Sequence, residues 1–201
     1  LPWHLVVFIT HLTFYYCYTM FFLKANPLEG GMLEVATFIL AATASILFFA
    51  SGILGVRFAL LLGSCWLFFA FEEVSWGQSF VHSASPKFFI ENNLQQETNI
   101  HNFFSNSLLA YISVNIVIFL AMTWGRKIQY FSTYYKIKSV SFVVRVSDKY
   151  SLWFYPLILC FASIYPGAEF VEEHWSIFGV LFGLVLLRET IENRDSHRTN
   201  G

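Results

Sequence analysis

The chain is 201 residues long, 56% of them hydrophobic and 12% charged, and its formal net charge is −1. Soluble globular domains carry roughly 25% charged residues, so this composition excludes an ordinary soluble domain and indicates an integral membrane protein. The partners that we predict are membrane lipids and other membrane subunits, with no nucleic acid.

Six apolar segments approach the roughly 20 residues that a helix needs to cross the hydrocarbon core of a bilayer. They cover about residues 5–23, 32–52, 56–71, 106–124, 152–165 and 175–187. We therefore predict one all-α membrane domain over residues 1–201, a polytopic bundle of about six transmembrane helices. Outside the bilayer we place an outer polar segment at 72–105, an inner basic loop at 125–150, amphipathic in part, and an inner tail at 188–201.

The cations divide unequally between the two sides of this predicted bundle. Ten of the twelve Lys and Arg residues fall on one side, which the positive-inside rule makes cytoplasmic. Both termini are then cytoplasmic, and we expect the protein in a bacterial inner membrane. Nine of the thirteen carboxylates fall on the outer side. The rule does not require this second asymmetry, so it calls for a separate explanation.

Two pairs of glutamates lie at the same predicted depth. Arg57 is fifteen residues from Glu72, and Arg188 is fifteen residues from Glu173. Each interval covers about 22 Å of helix, which is less than the roughly 30 Å of the hydrocarbon core. The side chains below the outer interface are then Glu72, Glu73, Glu172, Glu173 and His174. Carboxylates at this depth are costly beside lipid, so we expect them to point into the bundle or a wet cavity.

The polar segment adds further groups of the same kinds. Glu97 and His101 are four residues apart and share a face if this stretch is helical. Carboxylates and imidazoles at one depth suit a divalent metal ion such as Zn, Mn or Fe. They also suit an acid/base pair, because crowded carboxylates in a low dielectric cannot all ionise. The predicted metal ligands are Glu72, Glu97, His101, Glu172 and His174, and the predicted catalytic residues are Glu73 and Glu173.

Amide and aromatic side chains surround these groups in the sequence. We predict that they orient the ligands or hold a polar headgroup; they are Trp76, Gln78, Asn93, Gln95, Asn99 and Asn102. If the third helix continues to Gly77, Glu72 and Trp76 share one of its faces. The alternative is structural: the polar side chains cap helix ends and hydrogen-bond the loop to itself.

A short interfacial helix is predicted between the third and fourth spans. Ser85 is a preferred N-cap residue and Pro86 is favoured at the first helical position. The helix that follows would place Phe88 and Phe89 in the bilayer.

Two histidines of the first span, His4 and His11, lie two turns apart on one face and could ligate a haem or a chlorophyll. The alternative is a histidine hydrogen-bonded to a neighbouring helix. In the sixth span, Gly179 and Gly183 form a GxxxG pattern that allows close approach of another helix. The three cysteines lie in apolar runs and are interpreted as small buried hydrophobic residues; they are Cys17, Cys65 and Cys160.

The polar segment resembles a group of bacterial multi-span membrane proteins that carry E-E-x-S-W-G-Q followed by N-x-Q-x-E-x-N-x-H-N. The matching positions are Glu72, Glu73, Ser75, Trp76, Gly77, Gln78, Asn93, Gln95, Glu97, Asn99, His101 and Asn102. The resemblance covers about thirty of the 201 residues. It implies a shared site and brings no activity with it.

Three functions remain open at this point. The first is metal-assisted or acid/base chemistry on a lipid-linked or amphiphilic substrate at the outer face. The second is a non-catalytic subunit of a larger membrane complex, with a pigment or haem against the first helix. The third is a cation pathway whose outer vestibule is the glutamate cluster. The sequence contains no HExxH, GxSG or HxxxH motif, which excludes the enzyme classes that depend on them.

Overall fold

The computed structural model describes residues 3–10, 13, 32–81, 83–93, 96–100, 103, 108–124, 138–162 and 168–199. Within these ranges all regular secondary structure is helical, which confirms the all-α prediction. Residues 3–10 are helical and are called α1. The later helices are α2 (Met32–Ile53), α3 (Phe58–Glu73), α4 (Gln78–Val81), α5 (Lys87–Asn92), α6 (Leu108–Thr123), α7 (Lys138–Lys149), α8 (Phe154–Ala162) and α9 (Ala168–Thr199).

Helices α2, α3 and α9 pack against one another through close contacts of small residues. A hydrogen bond of 2.8 Å from Ser45 Oγ to the carbonyl oxygen of Gly63 joins α2 to α3. A Cβ atom added to Gly183 would lie 2.8 Å from Leu47 Cβ, so α9 and α2 are also in close contact. The GxxxG pattern therefore serves packing within this chain, as small residues do at membrane helix interfaces.

Gly179, the other glycine of that pattern, sets the register between α3 and α9. A Cβ atom added to Gly179 would lie 2.4 Å from Cζ2 of Trp66, so the indole occupies the space that the glycine leaves. Together with the contacts of Gly183 and Ser45, this places α9 parallel to α2 and antiparallel to α3. Residues at equal distances from Trp66 and Gly179, in opposite chain directions, are then level with each other.

A buried aromatic cluster connects α1 and α8 to α9. Tyr155 is fully buried, and its ring centroid lies 4.5 Å from that of Phe8 and 5.0 Å from that of Phe178. Phe182 continues the cluster along α9 and meets Phe48 of α2 at 5.3 Å. Aromatic rings bury large areas in such edge-to-face and tilted arrangements. The cluster thus joins the α2–α3–α9 unit to α1 and α8.

Among the residues that the structure describes, two helices are long and apolar enough, by length and composition, to cross a membrane. They are Val35–Ile53 and Glu172–Ser196, and they coincide with the second and sixth predicted spans. Large apolar side chains point away from the protein on α2, where Ile46 is 67% and Ile53 80% exposed. Contiguous exposed apolar surface of this kind marks contact with a membrane or a partner. These two helices support membrane association. They do not confirm a bundle of six spans, which stays a prediction.

Several predicted boundaries differ from the structure. The sixth predicted span ends at Leu187, but α9 continues as one helix to Thr199. The predicted inner tail is therefore largely helical, and an Arg188–Glu192 ion pair of 2.7 Å, four residues apart, supports it. Pro86 is the N-cap of α5, so this helix begins one residue later than predicted and Ser85 lies just before the cap. Cys65 is exposed on α3 and is not a core residue.

Candidate functional site

The site begins where α3 ends. Ser75, Trp76 and Gly77 have φ angles of 48°, 57° and 90°, so three consecutive residues lie in the left-handed region that only glycine adopts freely. The helix therefore stops at Glu73, and the predicted continuation to Gly77 is wrong. A left-handed conformation costs roughly 1–2 kcal/mol for each residue with a side chain, so the surroundings must hold this turn.

Glu72 holds one side of the turn. Its Oε1 accepts a hydrogen bond of 2.5 Å from the indole Nε1–H of Trp76. Its Oε2 accepts a second, of 2.6 Å, from the backbone N–H of Ile100. The carboxylate is buried, and it links the end of α3 to a loop that lies twenty-eight residues further along the chain. Glu72 and Trp76 are in contact, as predicted, but through the turn and not through a helical face.

Glu97 holds the other side. Its Oε2 accepts a hydrogen bond of 2.7 Å from Ser75 Oγ and another of 3.0 Å from Asn99 Nδ2. Asn99 Nδ2 also donates to Ser75 Oγ at 3.0 Å, which closes a triangle of three buried or half-buried side chains. Asn93 Nδ2 donates to Asn99 Oδ1 at 3.0 Å and to its carbonyl oxygen at 2.8 Å. Hydrogen bonds in which one partner is charged are stronger than hydrogen bonds between two neutral groups.

Gln78 completes the network. Its side-chain oxygen accepts a hydrogen bond of 2.9 Å from the backbone N–H of Thr98, and its Nε2 donates to Ser85 Oγ at 2.7 Å. Ser85 Oγ donates to the carbonyl oxygen of Gln96 at 2.5 Å. We call this connected set the polar clasp; its members are Glu72, Ser75, Trp76, Gln78, Asn93, Glu97 and Asn99. These hydrogen bonds are of the kind that the structural alternative predicts, in which polar side chains hydrogen-bond the loop to itself.

The segment around Glu97 is not helical. Residues 96–100 contain bends, and Gln96 has a φ angle of 59°, so Glu97 does not present a helical face toward position 101. The predicted residues His101, Gln95 and Asn102 lie outside the described residues. Glu97 and His101 would share a face only if this stretch were helical, and its described part, residues 96–100, is not.

The predicted metal ligands do not gather within the described part of the chain. No group of three or more His, Cys, Asp or Glu side chains there could hold a metal ion. Glu72 uses both carboxylate oxygens, and Glu97 one of them, as hydrogen-bond acceptors inside the clasp. Since His101 lies outside the described residues, metal binding stays a prediction.

A second group of titratable side chains lies in the aromatic core. His4 Nδ1 and the hydroxyl oxygen of Tyr155 are 2.6 Å apart, and both side chains are fully buried. The ring of Phe8 contacts the ring of Tyr155, and its centroid also lies 5.9 Å from that of the His174 imidazole. His4 is thus hydrogen-bonded to a neighbouring helix, the alternative to a haem or chlorophyll ligand, and His11 lies outside the described residues. The sequence did not indicate Tyr155, which is 151 residues from His4.

Glu173 lies beside His174 on α9 and is only 8% exposed. Its Oε2 is inaccessible to solvent and has no hydrogen-bond partner among the described residues. Glu73 is also buried, and Glu172 is half-buried. Glu73 follows Trp66 by seven residues, and Glu172 precedes Gly179 by seven. The contact between Trp66 and Gly179 therefore supports a common depth for the two glutamate pairs.

Comparison of the chain with protein-family models, with curated proteins and with solved structures finds no match.

Proposed function

We propose that this chain is a polytopic membrane protein of about six spans that performs acid/base chemistry on a lipid-linked or amphiphilic substrate. The reaction takes place at the outer end of the bundle, and both termini are cytoplasmic. Glu173 is the group that takes up and releases the proton, with Glu73 as the second carboxyl group of the site. In the metal-assisted form of this chemistry, Glu72, Glu97, His101, Glu172 and His174 would supply the ligands.

The observation that carries the proposal is the environment of Glu173. A buried carboxyl oxygen that has no hydrogen-bond partner in the described structure is costly unless the group is used. A carboxyl group in such a place can be protonated or ionised as a reaction requires. Intramembrane ionisable residues are functional by default for the same reason.

The polar clasp supports the choice of substrate class. It fixes a strained turn, and backbone strain of this kind collects at functional sites. The turn leaves the Trp76 ring half exposed and stacked on Phe71, with 5.6 Å between the ring centroids. The clasp thus combines an aromatic face with carboxylate and amide groups at one end of the bundle. An amphiphile offers the matching combination, an apolar chain beside a polar headgroup.

The test is lipid turnover by purified protein in liposomes made from a bacterial polar lipid extract, followed by mass spectrometry of the lipids. The substitution Glu173→Gln keeps the size of the side chain and removes its proton chemistry. We expect turnover to fall by a factor of about 10² or more, the usual contribution of a general acid or base. Equal turnover by the variant and the wild type would contradict the assignment of Glu173.

The matched control is Glu91→Gln. Glu91 lies on the same outer segment but is exposed and pairs with Lys87 at 3.5 Å, so turnover should stay at the wild-type level. A chelator arm separates the two forms of the chemistry. Loss of turnover with a chelator, and its return on adding Zn²⁺ or Mn²⁺, would indicate the metal-assisted form.

A further inference from the structure

The opposite end of the molecule carries a surface that the acid/base site does not use. Helix α7 packs one side against the rest of the protein through Val143 and Val146, which are buried. Its other side bears exposed charged residues. Because the apolar side is already packed against the protein, the exposed side with its Lys and Arg residues is the one that can face anionic lipid headgroups.

The cations of α7 form a single stripe. Lys138, Arg145 and Lys149 are separated by seven and four residues, and residues at these spacings lie on one face of an α-helix. Phe142 occupies the same stripe between Lys138 and Arg145. The Arg145 guanidinium lies 5.9 Å from the centroid of the Phe142 ring. The stripe is therefore basic and aromatic along its length.

Two of the three cations keep their charge available for a ligand. Among the described residues, no carboxylate lies within ion-pair distance of Arg145 or Lys138. Lys149 differs, because its Nζ lies 2.6 Å from Glu189 Oε1. The Tyr150 hydroxyl donates to the same oxygen at 2.5 Å, and this bond together with burial raises the pKa of Tyr150. Glu189 is therefore already engaged by two donors.

Arg145 also borders a groove between α7 and the C-terminal part of α9. The groove has a volume of about 630 Å³ and is lined by Phe142, Arg145, Val146, Asp148, Lys149, Glu189 and Asn193. Phe142 and Val146 give it an apolar wall, whereas Arg145 gives it a cation without an ion-pair partner in the described structure. A phosphate with acyl chains attached fits this combination better than a free phosphate does.

We infer that the stripe Lys138–Phe142–Arg145, with the groove beside it, binds the phosphate of an anionic phospholipid in the cytoplasmic leaflet. The inference rests on the membrane orientation of the proposed function and adds a lipid partner at the opposite face. Anionic lipids concentrate in that leaflet, and each Lys or Arg near the surface contributes to the attraction. Arg145 supplies a planar donor set that matches a phosphate, and Lys138 adds a second positive charge one turn away from Phe142.

The experiment is native mass spectrometry of the full chain in neutral detergent, titrated with phosphatidylglycerol or phosphatidylcholine of identical acyl chains. The wild type is expected to prefer phosphatidylglycerol. In the variant Lys138→Gln/Arg145→Gln this preference should fall by about fivefold for each cation removed, or about 25-fold in total. The single variant Arg145→Lys keeps the charge but loses the planar donor set, so its preference should lie between those of the wild type and the double variant.

The matched control is Arg57→Gln/Arg194→Gln. It removes two exposed cations from the same predicted side of the membrane, and the lipid preference should not change. A control that loses as much preference as the α7 variant would assign the effect to net charge and overturn the inference. So would equal binding of the two lipids by the wild type.

Two further arms complete the test. Glycerol phosphate in excess should not displace the lipid. Displacement of the lipid by this excess would assign the groove to a soluble phosphate compound. Glu173→Gln should bind phosphatidylglycerol as the wild type does. A lost lipid preference with normal turnover, or the reverse, then shows which of the two proposals has failed.

Discussion

At the level of single residues, the clasp depends on two buried or half-buried carboxylates that accept hydrogen bonds from both nearby and distant parts of the chain. Glu72 accepts from a side chain four residues away and from a backbone N–H at Ile100. Glu97 accepts from Ser75, twenty-two residues away. Each such bond to a charged acceptor contributes about 1.5–3 kcal/mol. The sum offsets the strain of the left-handed turn.

Ser75 is the residue whose loss tests this balance. The change Ser75→Ala keeps the backbone strain and removes both the donor to Glu97 and the acceptor of Asn99. We expect the free energy of unfolding to fall by about 1.5–3 kcal/mol, measured by chemical unfolding in micelles. The control Ser64→Ala removes only a bond of 3.0 Å to Leu60 within α3 and should change it by less than about 0.5 kcal/mol. Equal effects would show that the clasp does not hold the turn.

Most members of the clasp could be predicted from the sequence, but their roles could not. Glu72, Trp76 and Asn99 were identified because polar groups in an oily chain need a use or a partner. Which of them pair depends on a turn with positive φ at Ser75 and Trp76, and only Gly77 indicates such a turn in the sequence. Tyr155 was missed because a tyrosine in an apolar run has the pattern of a packing residue.

At the level of helices, the apolar runs predicted where helices exist better than where they end. The second predicted span, 32–52, matches α2 at Met32–Ile53. Helix α9 instead continues twelve residues past its predicted end at Leu187, and the exposed Arg188–Glu192 pair contributes only weakly to the stability of this polar part. An apolar run predicts which part of a helix can lie in a bilayer, but it does not predict where the helix ends.

The contact between α3 and α9 yields a prediction at this level. In Gly179→Ala the new methyl group would meet ring atoms of Trp66 at 2.4–2.7 Å. Overpacking of this kind costs about 1–3 kcal/mol, which exceeds the gain of up to about 1 kcal/mol in helix propensity. The melting temperature in micelles should therefore fall.

A double-mutant cycle separates this contact from other effects of the substitution. In a Trp66→Leu background the indole is gone, so Gly179→Ala should no longer destabilise the protein and the two changes should couple. Strictly additive effects of Trp66→Leu and Gly179→Ala would mean that the indole does not occupy the space beside the glycine.

At the level of the whole molecule, the register between α3 and α9 places the glutamate pairs and the basic residues at different ends of these helices. Arg57 precedes Trp66 by nine residues and Arg188 follows Gly179 by nine, while the glutamate pairs lie six and seven residues away in the other direction. The buried glutamates and the basic residues thus lie at opposite ends of the same packed helices. This arrangement supports a common level for the two glutamate pairs, and their depth in a bilayer stays a prediction.

The number of spans can be tested by the side of the membrane on which three positions lie. In a background without Cys17, Cys65 and Cys160, single cysteines are introduced as Ser83→Cys, Lys138→Cys and Ser196→Cys. Each of these three positions is exposed. A membrane-impermeant maleimide is then applied to intact cells and to permeabilised cells.

The positive-inside rule, applied to about six spans, places Ser83 outside and both Lys138 and Ser196 inside. Only Ser83→Cys should then be labelled in intact cells. If only the two long helices, Val35–Ile53 and Glu172–Ser196, cross the membrane, Ser83 and Lys138 lie on one side and Ser196 on the other. Joint labelling of Ser83→Cys and Lys138→Cys would therefore reject the six-span bundle. It would also move α7 away from the cytoplasmic leaflet, since the helix then shares the side of the polar clasp.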